Sequence, residues 1–249
     1  MYETQILLGK FSQDELDALI VRYCSIPDIS ARIDFLSRRL LGILYRESTL
    51  IGDIVIPEVL MVNLEGVDCS TFIDYIEAMR LSESFSGFMD NLKRVRYKSG
   101  AVSFENRNHF FSDWKEFNSG FVHDITEEVG GLKAKKILKT LNRKEDGSYL
   151  IPGIAPVERE ISYIPSPAID GPILEKIRTG DYIGIYSHAA GLDVSHVGIF
   201  IREGGKSYLR HASSQPEFRK VIDQDFQEYI QNKPGIIIFR PLMYYPHPY

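Results

Sequence analysis

The stretch that decides the fold is Gly66-Val67-Asp68-Cys69-Ser70-Thr71-Phe72. A short apolar segment precedes it, and apolar residues at helical spacing follow it to about Arg80. Asp68 has the side chain of a helix N-cap, which makes Cys69 the first helical residue. The free backbone N–H groups and the helix dipole at that position favour the thiolate, which is the nucleophilic form of cysteine.

Cys69 also has a simpler interpretation, as a small hydrophobic residue buried in the core. The chain contains one other cysteine, Cys24, which lies at helical spacing from Leu16 and Ile20 and is expected in the core. Two thiols exclude a disulfide framework and a cysteine-rich zinc site. A bond between Cys24 and Cys69 stays open, and it would consume the candidate nucleophile.

The size, composition and net charge of the chain limit the kinds of function it can have. The chain has 249 residues, 44% of them hydrophobic, which suits one large or two small domains with a substantial core. A net charge of -5 does not predict nucleic-acid binding. No apolar run is long enough for a membrane span, and the first four residues lack the pattern of a signal peptide. The compartment therefore stays open.

Helical patterns dominate the first half of the chain. Ser12 and Glu15 form a capping box, which predicts a helix to about Cys24. Asp28 or Ser30 can begin a second helix, and apolar spacing predicts a third over residues 85–95. Residues 133–141 are expected to form a basic helix with its charged face in solvent. Residues 149–172 are rich in proline and indicate loop and edge structure.

The second half of the chain contains sequence patterns typical of β-strands. Four strand candidates cover residues 182–186, 196–201, 207–211 and 235–240. Gly204 and Gly205 supply a tight turn, which predicts a hairpin of the middle two. Helices followed by antiparallel strands indicate an α+β fold. The tail, residues 244–249, is expected to be extended.

A cysteine nucleophile needs a base, and the base needs a partner that orients it. His196 begins one strand of the predicted hairpin, and His211 ends the other. Because antiparallel pairing places the start of one strand beside the end of the next, the two imidazoles are expected side by side. If the cysteine helix packs on that sheet, Cys69 lies within reach. The order cysteine, histidine, polar group is typical of papain-like hydrolases.

These blocks carry a family resemblance. Asp68-Cys69-Ser70, Gly180-Asp181, His196-Val197-Gly198-Ile199 and His211-Ala212 occur in the order of the NlpC/P60 cysteine peptidoglycan hydrolases. Asn63-Leu64, the block 107–114, Ser162-Tyr163-Ile164-Pro165 and Gly191-Leu192-Asp193 resemble its DUF1460 branch, whose members are N-acetylmuramoyl-L-alanine amidase-like. The resemblance covers residues 45–215. It implies a papain-like core in which a cysteine helix packs on an antiparallel sheet.

The resemblance assigns roles that agree with the chemistry. It implies that Cys69 is the nucleophile, His196 the general base and His211 the residue that orients His196. His196 would hold Cys69 as a thiolate in an ion pair. The Cys69 backbone N–H is a candidate oxyanion donor at the helix start, and the Asn63 side chain is the candidate second donor.

Further candidates concern the substrate. Arg107, His109, Asp113 and Trp114 either stabilise a loop around an aromatic core or form a wall that stacks on a sugar and binds its polar groups. Tyr186 and Ser195 lie near the predicted catalytic strand ends and are also expected at the substrate. Asp193 is either a site group or a turn residue. No close ligand pair such as His-x-x-x-His is present, so neither a metal nor another cofactor is predicted.

The sequence thus predicts a cysteine amidase that cleaves the N-acetylmuramoyl-L-alanine bond of peptidoglycan fragments through a thioester. Two alternatives stay open: an endopeptidase acting between D-glutamate and the diamino acid of the stem peptide, and a non-catalytic module that binds cell wall. We expect one domain over residues 1–249, with a helical extension (1–60) and an insertion that shapes the groove (98–175). The insertion favours soluble muropeptides as substrate, and the resemblance implies a bacterial envelope or periplasmic location.

Overall fold

The computed structural model describes residues 2–243, so the tail of residues 244–249 lies outside the described part of the chain. Within it the fold is a mixed α+β arrangement of helices around a large antiparallel sheet. The α-helices of residues 2–243 are α1 (Gln13–Cys24), α2 (Ile29–Arg39), α3 (Cys69–Arg80), α4 (Phe85–Arg96), α5 (Phe111–Phe117), α6 (Thr126–Gly130), α7 (Gly171–Lys176) and α8 (Phe226–Ile230). The strands are β1 (Glu3–Leu7), β2 (Leu44–Tyr45), β3 (Val59–Asn63), β4 (Gly66–Val67), β5 (Val122–Asp124), β6 (Lys135–Leu141), β7 (Val157–Pro165), β8 (Tyr182–Tyr186), β9 (Val194–Glu203), β10 (Lys206–Ala212), β11 (Val221–Asp225) and β12 (Gly235–Pro241).

The two predicted N-terminal helices are confirmed. The Ser12 hydroxyl accepts from the Glu15 backbone N–H at 3.1 Å, and the Glu15 carboxylate accepts from the Ser12 N–H at 2.7 Å. Asp28 caps α2 by accepting from the backbone N–H of Ala31 at 2.7 Å. Both helices pack against α3, and their apolar faces are buried there. They thus form one side of the support for the cysteine helix.

The cysteine helix α3 begins where the sequence predicts. The Asp68 carboxylate accepts from the Thr71 backbone N–H at 2.8 Å, while the Thr71 hydroxyl accepts from the Asp68 N–H at 3.0 Å. Every residue of α3 from Thr71 to Arg80 is buried, so this helix runs through the interior. Its buried charges are paired, since Asp74 contacts Arg96 and Glu77 contacts Arg80. Burying such groups is tolerated only when a partner compensates the lost hydration.

The main sheet has the order β11-β10-β9-β8-β12-β7-β6, and β5 pairs with β12. All of these pairs are antiparallel. The four predicted strands are present, and β9 and β10 form the predicted hairpin. Its turn residues Gly204 and Gly205 have φ values of 58° and 78°, a left-handed conformation that glycine adopts without strain.

Two predictions about the middle of the chain are wrong. The expected basic helix over residues 133–141 is strand β6, and the stretch expected as loop and edge structure contains the nine-residue strand β7, which lies inside the sheet between β12 and β6. These strands pair along seven residues, from Lys135 opposite Tyr163 to Leu141 opposite Val157. Residues 157–164 contain no proline, so the backbone of β7 can donate to its neighbours. Tertiary pairing therefore overrides the helical spacing in β6.

The remaining strands lie outside the main sheet. In the predicted helical extension, β1 pairs in parallel with β3, and β2 pairs in parallel with β4. The helices α1–α5 cover one face of the main sheet, and a second buried cluster lies on the other face beneath α6, α7 and α8. None of the helices within residues 2–243 is long and apolar enough to cross a membrane.

Candidate active site

Cys69, the first residue of α3, lies half-buried in the wall of a cavity of about 280 Å³. His196 belongs to the same wall. Both Cys69 and Cys24 are free thiols, so the bond between them that the sequence left open does not form. The start of α3 therefore presents an unmodified thiol to the cavity.

The protonation state of Cys69 differs from the sequence expectation. Burial, reinforced by the neighbouring Asp68 carboxylate, raises the pKa of the Cys69 thiol to about 11. The backbone N–H of Val197 donates to the sulfur and opposes this rise, but it is the smaller effect. Burial therefore opposes the preference for the thiolate that the helix start provides. Desolvation of the charged form outweighs the helix dipole here.

The two predicted histidines meet on neighbouring strands. Nε2 of His196 on β9 lies 2.7 Å from Nδ1 of His211 on β10, with the ring planes at 89°. Burial lowers the pKa of His196 to about 3 and that of His211 to about 4. Both imidazoles are therefore neutral at neutral pH, and so is the Cys69 thiol. Burial therefore opposes charge on both members of the predicted thiolate–imidazolium pair.

A third group extends this pair. Nε2 of His211 lies 2.7 Å from Oε1 of Gln224 on β11. The ring of Tyr229 on α8 packs on His211 with a centroid distance of 5.0 Å and lies 6.2 Å from that of His196. Neither Gln224 nor Tyr229 is among the site residues predicted from the sequence. Residues 221–225 read Val-Ile-Asp-Gln-Asp and do not alternate apolar with polar residues, so no strand signal located Gln224.

The insertion contributes the opposite wall of the cavity. Arg107 lines it, with its guanidinium bound to the Glu58 carboxylate at 2.5 Å. His109 also lines it and donates from Nε2 to the backbone carbonyl of Phe104 at 2.8 Å. Burial lowers the pKa of His109 to about 4. These predicted substrate residues therefore line the cavity, while Nε and Nη2 of Arg107 and Nε2 of His109 already have protein partners.

Trp114 and Ser195 line the same cavity. The indole of Trp114 is 3% exposed and donates to the Asp74 carboxylate at 3.0 Å, so much of its ring belongs to the core. Ser195 is exposed next to His196. Asp193 also lines the cavity and is buried, with its carboxylate accepting from the backbone N–H groups of Ser112 and Val194 at 2.7 Å each. It is thus a buried group of the cavity wall.

Three predicted substrate residues do not reach this cavity. The Asn63 side chain accepts from the Glu65 and Gly66 backbone N–H groups and shapes the turn before β4. Asp113 is paired with Arg159 at 2.5 Å, and burial raises its pKa to about 6. Tyr186 is buried and stacks on Tyr163 with a centroid distance of 3.9 Å. The geometry gives none of these three a contact with the cavity beside Cys69.

The charges around the cavity are compensated within the protein. Arg96 is paired with Asp74 at 2.9 Å, and Arg107 is paired with Glu58. Asp193, in contrast, forms no close ion pair among the described residues, and the cation that interacts with its charge is Lys139. The cavity wall therefore offers no uncompensated positive charge from residues 2–243. Nor does any group of three histidine, cysteine or acidic side chains within that range stand ready to hold a metal ion.

Together these groups can perform acyl transfer. A thiol and a neutral imidazole share one cavity wall, and a second imidazole is bonded to the first. The helix start adds the Cys69 backbone N–H, which has no partner within its own helix. A nucleophile, a base with its orienting group, and a donor for a developing oxyanion are the parts that amide hydrolysis needs.

The chain as a whole is similar to known proteins. Residues 35–236 match a family model described as AmiA-like, N-acetylmuramoyl-L-alanine amidase-like. A crystal structure of an N-acetylmuramoyl-L-alanine amidase from Bacteroides uniformis is 27% identical with a TM-score of 0.72, over 86% of this chain and 99% of that chain. A DUF1460 protein from Legionella pneumophila is 22% identical with a TM-score of 0.79, over 93% and 94% of the two chains, and shows the shared fold. No protein of curated function matches the sequence.

Proposed function

The chain belongs to the AmiA-like family of N-acetylmuramoyl-L-alanine amidase-like proteins, and from that premise we propose that it is a cysteine amidase. Its reaction is hydrolysis of the bond between the lactyl group of N-acetylmuramic acid and L-alanine in peptidoglycan fragments. The observation that carries the proposal is the placement of Cys69 and His196 in one cavity wall, with His196 bonded to His211.

The first half of the reaction forms a thioester. Neutral His196 takes the thiol proton as the Cys69 sulfur attacks the lactyl carbonyl carbon. The carbonyl oxygen gains negative charge and accepts a hydrogen bond from the Cys69 backbone N–H. The tetrahedral intermediate then expels the amine of L-alanine, which takes the proton from the His196 imidazolium. The lactyl group remains bound to sulfur as a thioester, and the stem peptide leaves with a free amino terminus.

The second half returns the enzyme to its starting state. His196 takes a proton from a water molecule as the oxygen of that water attacks the thioester carbonyl. Collapse of the intermediate releases the lactyl carboxylic acid, and the sulfur regains its proton from His196. Because the resting thiol and imidazole are both neutral, the sulfur acquires charge only as it attacks. His211 stabilises the imidazolium that forms on His196 in each half.

The fold supports a wider assignment to the NlpC/P60 superfamily with a papain-like core. The supporting features are a cysteine at the start of a buried helix and its packing on β9, which carries the base. We treat residues 1–249 as one domain, with residues 1–60 as an extension and 98–175 as an insertion. The extension packs on α3, and the insertion supplies His109 and Trp114 to the cavity wall.

The charge of the cavity favours the amidase over the endopeptidase. At a bond between D-glutamate and a diamino acid, the D-glutamyl residue carries a free α-carboxylate on the acyl side of the scissile bond. Beside Cys69, however, Arg96 and Arg107 are already paired, and Asp193 adds an acidic group. An anionic substrate group would enter this cavity without a free cation to compensate its desolvation. The muramoyl half of the amidase substrate carries no such charge.

The walls also favour small substrates. Loops of the insertion border the cavity opposite the catalytic strands, so a single muropeptide fits more readily than a cross-linked strand of wall. The expected location in the bacterial envelope or periplasm follows from where such substrates arise.

The decisive experiment is incubation of the protein with purified muropeptides, with product identification by mass spectrometry. The amidase releases an intact stem peptide with a free L-alanine amine, together with the muramic acid. Cys69→Ala removes turnover. Cys24→Ser is the matched control, because Cys24 is the other free thiol, and it retains full turnover.

Other outcomes separate the alternatives. Cleavage after D-glutamate would assign the endopeptidase. Binding of muropeptides with no turnover by either protein would assign a non-catalytic module. Equal turnover by wild type and Cys69→Ala would remove the cysteine from the mechanism.

A further inference from the structure

Four side chains form a continuous line of hydrogen bonds away from the cavity. His196 Nε2 lies 2.7 Å from His211 Nδ1, and His211 Nε2 lies 2.7 Å from Gln224 Oε1. The line ends where the Gln224 Nε2 amide donates to Gln215 Oε1 at 3.3 Å. His211 is 1% exposed, so its ring nitrogens have these partners rather than bulk water.

The chemistry at the Gln224 end fixes where the protons lie. An amide oxygen only accepts, so His211 must donate to it from a protonated Nε2. A neutral imidazole carries one ring proton, which leaves His211 Nδ1 as an acceptor. His196 must then donate from its own Nε2, and its Nδ1 is left unprotonated. That nitrogen is the one available to take a proton from Cys69.

The reverse orientation of the Gln224 amide would disable this base. If the NH₂ group faced His211, then His211 Nε2 would accept and Nδ1 would carry the proton. His196 Nε2 would have to accept, and a neutral His196 would carry its proton on Nδ1, with no lone pair for the thiol. In the structure the Gln224 NH₂ group faces Gln215 and donates to its Oε1 at 3.3 Å, which leaves Oε1 of Gln224 toward His211.

We propose that Gln224 is a positioning residue that sets the tautomer of His196 through His211, so that Nδ1 of His196 is the base. The proposal rests on the proposed function only for its consequence in catalysis, since the proton positions follow from the hydrogen bonds alone. Gln224 is uncharged and therefore fixes the tautomer while leaving both imidazoles neutral. A carboxylate in its place would add a charge that raises the pKa of His211.

The proton positions are read directly by ¹⁵N NMR of histidine-labelled protein at pH 7, where the two neutral tautomers have distinct ring nitrogen shifts. We expect His196 and His211 both to carry the proton on Nε2. Gln224→Met keeps the side-chain length but removes the acceptor, and the Nδ1–H tautomer then appears at both histidines. Gln224→Glu restores an acceptor and keeps the wild-type tautomer. Gln227→Met, at an exposed site on α8, is the matched control and changes neither spectrum.

Kinetics give a second readout. Gln224→Met lowers kcat on muropeptides by roughly tenfold and leaves KM unchanged. The reason is that one hydrogen bond, which favours the active tautomer of His196, is lost. Gln224→Glu recovers most of that loss. An unprotonated His211 Nε2 in the wild type, or a Gln224→Met protein with wild-type tautomers, would overturn the proposal. The expected tautomers in a protein with no turnover of any muropeptide would instead overturn the proposed function and leave this inference intact.

Discussion

Replacing Asp68 by asparagine separates two roles of that side chain, because asparagine keeps the cap and removes the charge. The Asp68 carboxylate accepts from the Thr71 backbone N–H at 2.8 Å, and an asparagine amide oxygen can accept the same bond. The carboxylate is also the second cause, after burial, of the raised pKa of Cys69. We therefore expect Asp68→Asn to preserve α3 and to make the thiol more acidic.

The size of the effect follows from Coulomb's law. For side chains of adjacent residues we take a separation of about 6 Å, at which a unit charge in an effective dielectric of about 20 to 40 contributes about 1.4–2.8 kcal/mol, or about one to two pKa units. The pKa of Cys69 then falls from about 11 by that amount, and the thiolate fraction at pH 8 rises about 10- to 100-fold. A more acidic thiolate is a weaker nucleophile, with a Brønsted coefficient of about 0.45. The larger thiolate fraction outweighs the lower nucleophilicity, so the net alkylation rate rises about three- to twelvefold.

The assay is alkylation of Cys69 by iodoacetamide at pH 8, followed by intact mass. A Cys24→Ser background leaves Cys69 as the sole thiol, since the chain has two cysteines. Glu65→Gln is the matched control, because it removes an exposed carboxylate close in sequence and should leave the rate within about twofold. An Asp68→Asn protein with unchanged unfolding midpoint and an unchanged or slower rate would refute the electrostatic account of this thiol.

Three further predictions test the same structure. First, kcat/KM on muropeptides stays within about twofold between pH 7 and pH 5, because a His196 with a pKa of about 3 is only about 1% protonated at pH 5. A steep loss of kcat/KM below pH 6.5 would contradict the neutral state of Cys69 and His196. Second, burial lowers the pKa of His211 from 6.5 to about 4, so the unfolded chain takes up its proton first as pH falls. The folded state therefore loses about 1.6 kcal/mol of stability between pH 6.5 and pH 5. Urea titrations should show this slope in the wild type and a shallower one in His211→Gln; identical slopes would count against it. Third, Lys139→Met lowers the free energy of unfolding by about 2–3 kcal/mol and speeds amide hydrogen exchange over residues 187–192. The reason is that Lys139 Nζ donates to the carbonyls of Ser187, Ala189 and Leu192 at 2.5, 2.9 and 2.6 Å. Unchanged exchange there would show that this lysine does not hold the loop before β9.

The parts of the site that sequence could predict depend on local signals. The Asp68 cap fixes the start of α3 through contacts within four residues. The Gly204-Gly205 turn fixes the register of β9 and β10, and that register brings His196 to His211. The hairpin and the helix are each encoded within about twenty residues, so periodicity and turn chemistry suffice to find them.

The parts that sequence did not predict depend on distant partners. Strand β6 has helical spacing and becomes a strand only because β7 pairs with it. Arg107 looked like a substrate residue, yet its charge is compensated by Glu58, 49 positions away. The pKa of Cys69 depends on how deeply the assembled fold buries the sulfur, which no local pattern records. Such properties arise from packing and cannot be read from spacing.

The resting site holds its reacting groups uncharged, and this bears on how it would accelerate a reaction. If the thiolate and imidazolium were already formed before substrate binds, the protein would stabilise them in the ground state. That stabilisation would then not lower the activation free energy. Here burial opposes charge on both Cys69 and His196, while the Val197 N–H and the His211 ring already point at the atoms where charge appears. Interactions of this kind strengthen as the transition state forms. A thiol that reacts slowly with iodoacetamide and rapidly with a bound muropeptide is the behaviour that such a site should show.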